Sequence, residues 1–422
     1  MIRFYNGRVL TLAEDMLIRD WEVWTDGSVI SYVGPSPAEM PVFEREIDLR
    51  GDLLMPGFKN AHTHSAMTFL RSFADDLPLQ SWLFDKVFPY EAKLTPEDVY
   101  ALTRLAIMEY LTSGITASFD MYFHLDEYVR ANLDCGFRTV MCGAIAAGDD
   151  WKKLEANFNK YSVVDPLISY RLGFHAEYTA SVPMLEYVSG LAHETKQPVW
   201  AHNSETESEV RECIERHGKT PTELFDSLGI FDFGGGGFHC VHFSENDMEI
   251  FKNRSLWAVT NPSSNLKLAS GVAPIVKMQD KGINLAIGTD GPASNNALDM
   301  FREMYLVTAL QKMTLKDAAA CDAGEVLKMA CVGGARAMGL TDCDAIAPGK
   351  QADMIVINMS RPNMQPEHNI VKNIVYSGSK ENIRLTMVAG KVLYENGEFF
   401  IGDTPQYIYA QAEKATRRLT EE

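Results

Sequence analysis

The middle of the chain alternates short apolar runs with helix-length amphipathic stretches, and this alternation constrains the fold most strongly. The apolar runs have the length of strands and lie near residues 53–58, 115–121, 137–145, 169–175, 197–202, 238–243, 256–260 and 283–288. Helical periodicity is found over residues 95–113, 124–135, 181–194, 206–217 and 298–312. Eight strand–helix alternations predict an α/β fold of the (β/α)8 TIM-barrel type.

The two ends of the chain show a different pattern, with short strand-like segments and glycine-containing turns. Residues 1–55 have this pattern around an Asp26-Gly27 turn, and residues 348–422 repeat it before a helical stretch at 404–420. Each end alone is too short to bury a sizeable core. We therefore expect residues 1–55 and 348–422 to form one small composite β-sandwich domain, and residues 56–347 to form the catalytic barrel.

The composition argues against several kinds of partner. The 422 residues carry 39 Lys and Arg against 57 Asp and Glu, a formal net charge of −18. Nucleic acids and anionic membrane surfaces attract clustered cations, so neither is expected to bind. No apolar run reaches the roughly 18 residues of a membrane span, and the N-terminus lacks the pattern of a signal peptide. Seven scattered cysteines without a CxxC pair predict a reduced, cytoplasmic protein.

The strongest local signal for chemistry is the pair His62 and His64. It follows the strand-like segment 53–56, and side chains two positions apart on a strand point to the same side. His202 and Asp290 end the fifth and eighth candidate strands. Because active sites of barrels form where the carboxyl ends of the strands meet, we predict that these four residues bind a divalent metal ion.

The type of ligand indicates which metal the site would bind. Three neutral histidines and one carboxylate suit a borderline ion such as zinc, with iron as the alternative. Such an ion lowers the pKa of a bound water from 15.7 towards about 7. Glu205, three residues after His202, could relay protons without binding the metal. His239 ends the sixth candidate strand and could be held there in a productive protonation state.

Several neighbouring features have structural explanations. We interpret His124 and His242 as hydrogen-bonded structural residues. Asp290 has an alternative role as a helix cap, because residues 294–296 are typical cap residues. The run Gly234–Gly237 lacks the spacing and the lysine of a phosphate-binding loop, so we interpret it as a turn before the sixth strand.

Longer segments around these residues carry more information: PGFKNAHTH (56–64), LPLQSWL (77–83), DMY (120–122), HCVH (239–242), NPSSNLKLASG (261–271), GTDGPASNN (288–296), PGKQAD (348–353) and TMVAG (386–390). Taken together, they resemble the amidohydrolase superfamily over essentially the whole chain. They are most similar to its S-adenosylhomocysteine/5′-methylthioadenosine deaminase branch, which is related to cytosine deaminases and chlorohydrolases.

The resemblance implies a metal-dependent hydrolytic deaminase that acts on an aminated purine nucleoside and forms a homo-oligomer. It assigns the four residues above to the metal. In the mechanism that we expect, Asp290 and His239 position the attacking water and accept its proton. Glu205 would transfer a proton to a ring nitrogen of the purine, and His239 would orient the water. Trp82 would pack on the base, Glu91 would bind the ribose hydroxyls, and His175 would be a further substrate contact.

The chain departs from that branch in the region that would hold a homocysteine carboxylate. The arginines of the branch fall where this chain has Met141-Cys142-Gly143 and Trp151-Lys152-Lys153. Lys153 could provide a point charge for substrate binding, but it lacks the bidentate fork of an arginine. An adenosine-like substrate is therefore at least as compatible as S-adenosylhomocysteine. Segment 169–175 contains no lysine to bridge two metals, so we predict one metal ion.

Two alternatives remain open at the level of sequence. The first is a hydrolase of the same fold that acts on another heterocycle, such as a free base, a pterin or a triazine that loses chloride or an alkylamine. Trp82 and Glu91 favour a nucleoside over these compounds. The second is a catalytically inactive scaffold, against which the complete set of metal and proton-transfer residues argues. A cytidine-type zinc deaminase is excluded by the missing Pro-Cys-x-x-Cys motif, and a serine hydrolase by the missing GxSxG motif.

Overall fold

Eight parallel strands form the central barrel of the computed structural model, which describes residues 1–77 and 79–421. Strands β1 to β8 are Phe58–Thr63, Ile115–Met121, Arg138–Cys142, Ile168–Gly173, Val199–Asn203, Gly235–His239, Trp257–Thr260 and Asn284–Ile287. Each strand pairs in parallel with the next along the chain. The sheet closes where the backbone N–H of Asp290, just after β8, donates to the His62 carbonyl in β1 at 2.9 Å. The predicted TIM barrel is thus confirmed.

Six helices lie where the sequence predicts them, with ends within three residues of the predicted ones, whereas others, such as Lys152–Tyr161 and Glu245–Asn253, were not predicted. Thr95 begins the first long helix, and its side chain accepts a hydrogen bond from the backbone N–H of Asp98. This contact satisfies one of the unpaired N–H groups of a helix start. None of the helices in the described part of the chain is long and apolar enough to cross a membrane. The α-helices are Leu79–Ser81, Phe88–Glu91, Pro96–Thr112, Leu125–Cys135, Lys152–Tyr161, Val182–Thr195, Glu207–His217, Pro221–Ser227, Glu245–Asn253, Pro262–Lys267, Ile275–Asp280, Met300–Leu315, Ala323–Lys328, Gly334–Ala337, Ile370–Tyr376 and Pro405–Thr420.

Shorter helical turns complete the connections. The 3₁₀ turns are Ser65–Leu70, Glu177–Thr179, Thr341–Cys343, Pro362–Met364 and Lys380–Asn382, and the π-helical turns are Trp82–Val87 and Met329–Gly333. The turns Ser65–Leu70 and Trp82–Val87 both lie in the connection that follows β1, and Glu177–Thr179 follows β4. They therefore lie at the carboxyl end of the barrel, where side chains from loops can converge.

The first barrel strand lies later in the chain than the apolar run at 53–58 predicts. Strand Leu53–Pro56 belongs to a separate sheet, and β1 begins only at Phe58. The chain changes sheets at Gly57, where a Cβ atom would lie 2.2 Å from the Thr116 side chain. This close approach requires glycine, and it divides one apolar run between two sheets.

The glycine run before His239 is strand rather than the turn that the sequence suggests. Gly235, Gly236 and Gly237 all belong to β6. A Cβ atom on Gly236 would lie 2.1 Å from the Trp257 carbonyl oxygen and 2.7 Å from the indole of Trp200. The bulky Trp200 is buried, so the neighbouring strand has room for its backbone alone.

The two chain ends combine into two further sheets that share a hydrophobic core. The first has the order Val29–Gly34, Glu22–Asp26, Ile2–Tyr5, Arg45–Asp48, and the second has the order Glu398–Phe399, Lys391–Glu395, Ile383–Val388, Met354–Ile357, Leu53–Pro56, Arg8–Leu10, Ile18–Arg19. Side chains of both sheets, such as Phe4, Val23, Val356 and Leu385, belong to one buried cluster. The β-sandwich from both chain ends agrees with the expected fold class. The domain boundaries at 55/56 and 347/348 stay a prediction.

Candidate metal centre and active site

Four histidines and one aspartate converge at the carboxyl ends of β1, β5, β6 and β8. They are His62 in β1, His64 just after it, His202 in β5, His239 at the end of β6 and Asp290 after β8. The Nε2 atoms of His62 and His64 lie 3.6 and 3.3 Å from Oδ1 of Asp290. The candidate ligand atoms of His62, His64 and Asp290 lie within 4.8 Å of one another, and so do those of His62, His202 and His239. The structure therefore brings together all four residues predicted as ligands, and it adds His239.

Hydrogen bonds behind three of these histidines orient their rings. Nδ1 of His64 lies 2.7 Å from the Met121 carbonyl oxygen, and Nδ1 of His202 lies 2.7 Å from that of His175. Nδ1 of His239 lies 2.7 Å from the side-chain oxygen of Asn265. A proton on each Nδ1 leaves Nε2 with a free lone pair, and such contacts are typical behind metal-binding histidines.

The environment of His62 indicates that this cluster suits a metal ion. Its side chain is fully buried, yet neither ring nitrogen has a hydrogen-bond partner among the described residues. Burial holds the pKa of His62 well below its ordinary value, so the ring is neutral, as a ligand must be. A buried polar group without a partner is costly, and a cation bound by these atoms supplies one. Neutral imidazoles and one carboxylate suit a divalent metal ion, so the donor set fits.

The charge of Asp290 favours a cation at the same point. Burial would raise the pKa of Asp290, but the hydrogen bond and charge of His64 outweigh it and hold this pKa well below its ordinary value. In turn, burial would lower the pKa of His64, but Asp290 raises it to about 9. The ionised carboxylate of Asp290 therefore attracts positive charge. A proton on His64 and a metal cation compete for the position beside it.

Backbone conformation aims several of these residues into the site. His239, Asp290 and Ser204 all have positive φ angles, of 73°, 60° and 53°. Residues other than glycine rarely adopt this left-handed region, and those that do cluster at functional sites. Each of the three lies at or just after the end of a barrel strand.

Glu205 is a buried carboxyl group beside the metal donors. Its Oε2 lies 3.7 Å from Nε2 of His239, and its Oε1 accepts a hydrogen bond from the Ser270 hydroxyl at 3.0 Å. Glu209 accepts hydrogen bonds from the backbone N–H groups of Ser204 at 3.1 Å and Glu205 at 2.8 Å, which holds this segment in place. Burial raises the pKa of Glu205, so a proton is retained there more readily than on an exposed glutamate.

A cavity of about 330 Å³ opens onto these groups. This volume is near the lower end of the range for small-molecule sites. Trp82, Glu91 and His175, the three residues expected to contact the substrate, all line it. Burial raises the pKa of Glu91 to about 7, and its Oε1 has no hydrogen-bond partner among the described residues. Lys153, by contrast, is exposed on helix Lys152–Tyr161 and is not among the lining residues of this cavity, so its contact with substrate stays a prediction.

The structure also identifies site residues to which sequence reasoning assigned no role. Oδ2 of Asp290 accepts hydrogen bonds from the hydroxyls of Ser264 at 2.5 Å and Ser294 at 2.8 Å. Asp290 is therefore not a helix cap, and helix Met300–Leu315 is capped by Asp299 instead. The segments that carry the family resemblance contain all four of these polar residues: Ser264, Asn265, Ser270 and Ser294. Their place in those segments is the sequence signal that could have identified them as site residues.

His124 and His242 have the structural environments expected for them. Nε2 of His242 lies 2.7 Å from the Ser270 carbonyl oxygen, and Nε2 of His124 lies 3.2 Å from the Leu94 carbonyl oxygen. Each ring thus has a backbone partner, and neither residue belongs to the groups of candidate metal ligands found among the described residues.

Comparison with known proteins identifies the family. Residues 53–393 match the model of the Amidohydrolase family. The chain belongs to the amidohydrolase family.

Two relatives of this amidohydrolase are named enzymes. It is 38% identical over 98% of both chains to the 5-methylthioadenosine/S-adenosylhomocysteine deaminase of Thermoanaerobacter pseudethanolicus. It is also 38% identical over 89% of both chains to the 5′-deoxyadenosine deaminase of Methanothermobacter thermautotrophicus.

A solved structure extends the similarity to three dimensions. The crystal structure of an adenosine deaminase from Xanthomonas campestris with bound zinc superimposes on this amidohydrolase with a TM-score of 0.93. The two proteins are 33% identical, and the match covers 100% of this chain and 99% of the other. The whole architecture, including both chain ends, is therefore shared with that enzyme.

Proposed function

We propose that this amidohydrolase deaminates adenosine-type nucleosides by hydrolysis, replacing the amino group of the purine with oxygen and releasing ammonia. The observation that carries the proposal is the position of Glu205. This buried carboxyl group lies beside His239 and the metal donors, at the inner end of a cavity that admits a small molecule. Deaminase names among the relatives and the adenosine deaminase structure support the same reaction.

We assign one divalent metal ion, preferably zinc, to His62, His64, His202 and Asp290, on the support of the donor geometry above. When bound, such an ion lowers the pKa of water towards about 7 and so makes a nucleophile available at neutral pH. Iron is the alternative, because both metals accept imidazole and carboxylate ligands.

The protein residues then place and move the protons. Asp290, held ionised, accepts the proton of the attacking water, and His239, fixed by Asn265, orients that water. Glu205 donates a proton to the ring nitrogen next to the amine-bearing carbon, which makes this carbon more electrophilic. The water oxygen bonds to that carbon, and Asp290 passes its proton to the amine, so that the carbon–nitrogen bond breaks and ammonia leaves. The remaining proton of the former water returns to Glu205 as the carbon–oxygen double bond forms. The products are the oxo-purine nucleoside and ammonia.

Three residues of the cavity would hold the nucleoside in position. Trp82 offers an aromatic surface for the base. Glu91 has a buried carboxyl oxygen that lacks a partner within residues 1–77 and 79–421, which suits acceptance of hydrogen bonds from ribose hydroxyls. His175 lines the wall between β4 and β5, and its carbonyl oxygen also holds His202, so this segment links the metal centre to the substrate pocket.

Ammonia release from purified protein tests the proposal. Adenosine, 5′-methylthioadenosine, 5′-deoxyadenosine and S-adenosylhomocysteine would be screened beside guanine, cytosine, a pterin and a triazine. We expect release from at least one adenosine derivative and a loss of about 10²–10⁴-fold in kcat/KM for Glu205→Gln, with bound metal retained. Glu207→Gln is the matched control, since Glu207 is exposed two residues away. Release only from the other heterocycles, or near-normal turnover by Glu205→Gln, would contradict the proposal.

A further inference from the structure

The cavity lining contains acidic side chains but no basic residue other than histidine among the described residues. The acidic residues are Glu91, Asp149, Glu205 and Asp290, and none of the lining residues that the structure describes is lysine or arginine. Three of these carboxylates are accounted for by the metal, the proton transfer and the ribose. Asp149 has no part in the reaction proposed above.

Burial defines the direction in which a substrate lies in this cavity. His62, His239 and Asp290 are almost fully buried, so the reacting carbon has to reach the inner end. Asp149 is exposed and lines the same cavity, which places it at the opening. The part of a substrate farthest from the reacting amine therefore extends towards Asp149.

Local hydrogen bonds hold Asp149 at the opening. Its Oδ2 accepts a hydrogen bond from the backbone N–H of Ala146 at 2.7 Å, and its own N–H donates to the Ala146 carbonyl oxygen at 3.1 Å. The backbone N–H of Ala147 donates to the Thr179 carbonyl oxygen at 2.8 Å, which ties this turn to the loop after the neighbouring strand β4. The carboxylate thus has a defined position and is not a freely rotating surface side chain.

The cations nearest in sequence do not neutralise this carboxylate. Lys152 and Lys153 are exposed at the start of helix Lys152–Tyr161 and do not line the cavity. Within residues 1–77 and 79–421, no lysine, arginine or histidine forms an ion pair with Asp149. A charged group of the substrate near Asp149 would therefore interact with a carboxylate that has no ion-pair partner among the described residues.

Apolar side chains also form part of the exposed lining. Phe123 is exposed and Phe88 and Ala146 are half-buried, whereas Leu83 and Val87 line the buried part of the cavity. Such a wall favours an alkyl or alkylthio group over a charged one, because an ion leaves water there without gaining a partner. Charge and hydrophobicity therefore act in the same direction on an anionic substituent.

We infer that Asp149 is a specificity-determining residue that admits adenosine derivatives with a neutral or cationic substituent beyond the ribose and disfavours those with an anionic one. The inference rests on the proposed function and refines its substrate class. An S-adenosylhomocysteine tail carries both an ammonium and a carboxylate group. The ammonium gains from Asp149, whereas the carboxylate finds no fixed cation among the described lining residues.

A matched series of substrates separates charge from size. The probes are the S-butyl, S-aminopropyl and S-carboxypropyl derivatives of 5′-thioadenosine, which have tails of similar length and different charge. We expect kcat/KM for the carboxypropyl compound to be about 10- to 100-fold below that for the butyl compound, because like charges in contact disfavour binding. The aminopropyl compound should lie well above the carboxypropyl compound, and the difference should shrink as salt is added.

Substitution of Asp149 then assigns the effect to one side chain. In Asp149→Asn, the ratio of kcat/KM for the carboxypropyl to the aminopropyl compound should rise about tenfold, and Asp149→Lys should raise it further. Asp150→Asn is the control, because it removes the same charge from the neighbouring exposed residue, which does not line the cavity. This control should leave the ratio at its original value.

The outcomes distinguish the inference from the proposed function. If none of the adenosine derivatives releases ammonia, the proposed function is wrong. If the neutral derivative is deaminated and the carboxypropyl derivative reacts equally well, only the inference is overturned. An equal change of the ratio in Asp149→Asn and Asp150→Asn would also overturn it, since the effect would then belong to the net charge of the surface.

Discussion

The two ends of the barrel both bury charged or polar side chains, but they differ in whether those side chains have partners. At the amino end, Lys59 is fully buried and donates to the Thr116 hydroxyl at 2.6 Å and the Gly57 carbonyl oxygen at 3.1 Å. Arg138, at the start of β3, forms a buried ion pair with Asp353 through contacts of 2.7 and 3.1 Å. This pair joins the barrel to the sheet built from the chain ends.

The carboxyl end contains buried groups that the described part of the protein leaves without partners. Both ring nitrogens of His62, Oε1 of Glu91 and the hydroxyl of Tyr122 are examples. Unpaired buried groups cost free energy and persist only where another gain offsets the cost. Burial alone therefore does not distinguish a structural polar residue from a functional one. At the carboxyl end, unpaired buried groups lie in the same site as His64, His202 and His239, which do have hydrogen-bond partners, and this combination is typical of a place for a ligand.

The largest expected effect comes from removing an unpaired group at the carboxyl end. His62→Leu should lower kcat/KM by about 10⁴-fold, because a metal ligand is lost and with it the nucleophile at neutral pH. In the presence of a chelator, however, the variant should be more stable than the parent by about 1–3 kcal/mol, since an unsatisfied buried group is replaced by an apolar one. Urea unfolding of both chelated proteins measures this difference. Lower stability of chelated His62→Leu would show that the ring contributes to folding without a metal.

At the amino end we expect a smaller effect, which lowers the stability of the protein and leaves its turnover unchanged. Arg138→Met leaves the buried Asp353 carboxylate unpaired, which should lower the free energy of unfolding by about 3–5 kcal/mol. Turnover per folded molecule should stay at the parent value, because the pair lies at the opposite end of the barrel from the site. The double variant Arg138→Met/Asp353→Asn serves as the control and should regain much of the stability. A fall in turnover that exceeds the loss of folded protein would argue against this separation of the two ends.

The smallest of these effects tests a partner that the carboxyl end does possess. Asn265→Ala removes the acceptor behind Nδ1 of His239, and a loss of about 10- to 100-fold in kcat is expected, with KM less affected. Asn265→Asp keeps an oxygen at the same place and should recover part of the activity. The separate changes in kcat and KM are the more informative measurement, since loss of a group that positions His239 lowers kcat and leaves KM near the parent value. An equal change of both constants, or no recovery in Asn265→Asp, would limit Asn265 to a packing role.

Local sequence patterns predicted the parts of this molecule that depend on neighbouring residues. Helix Pro96–Thr112 begins beside the Thr95 cap that its sequence indicates, because a cap and its partner lie three positions apart. His62 and His64 share a site because strand geometry sends alternate side chains to one side. The order of strands followed from the alternation itself, since a right-handed crossover places successive parallel strands side by side.

Contacts between distant segments could not be predicted in this way. The apolar run at 53–58 gave no sign that Gly57 divides it, because the reason is the approach of Thr116, more than 50 residues away. The glycines of β6 likewise depend on Trp200 and Trp257 in adjacent strands. Lys153 was expected near the substrate from its place in the sequence, but helix Lys152–Tyr161 leaves it exposed.

By itself, the sequence determined the barrel, the longest helices and the types of residue available for chemistry, because periodicity and side-chain chemistry are local properties. Only the tertiary structure decided which of these residues meet. It placed His239 within reach of Glu205, Asn265 behind His239, and Asp149 at the opening of the cavity. The physical reason is that a partner is defined by distances of about 3 Å between atoms, and loops that are far apart in the chain reach such distances only when the barrel closes.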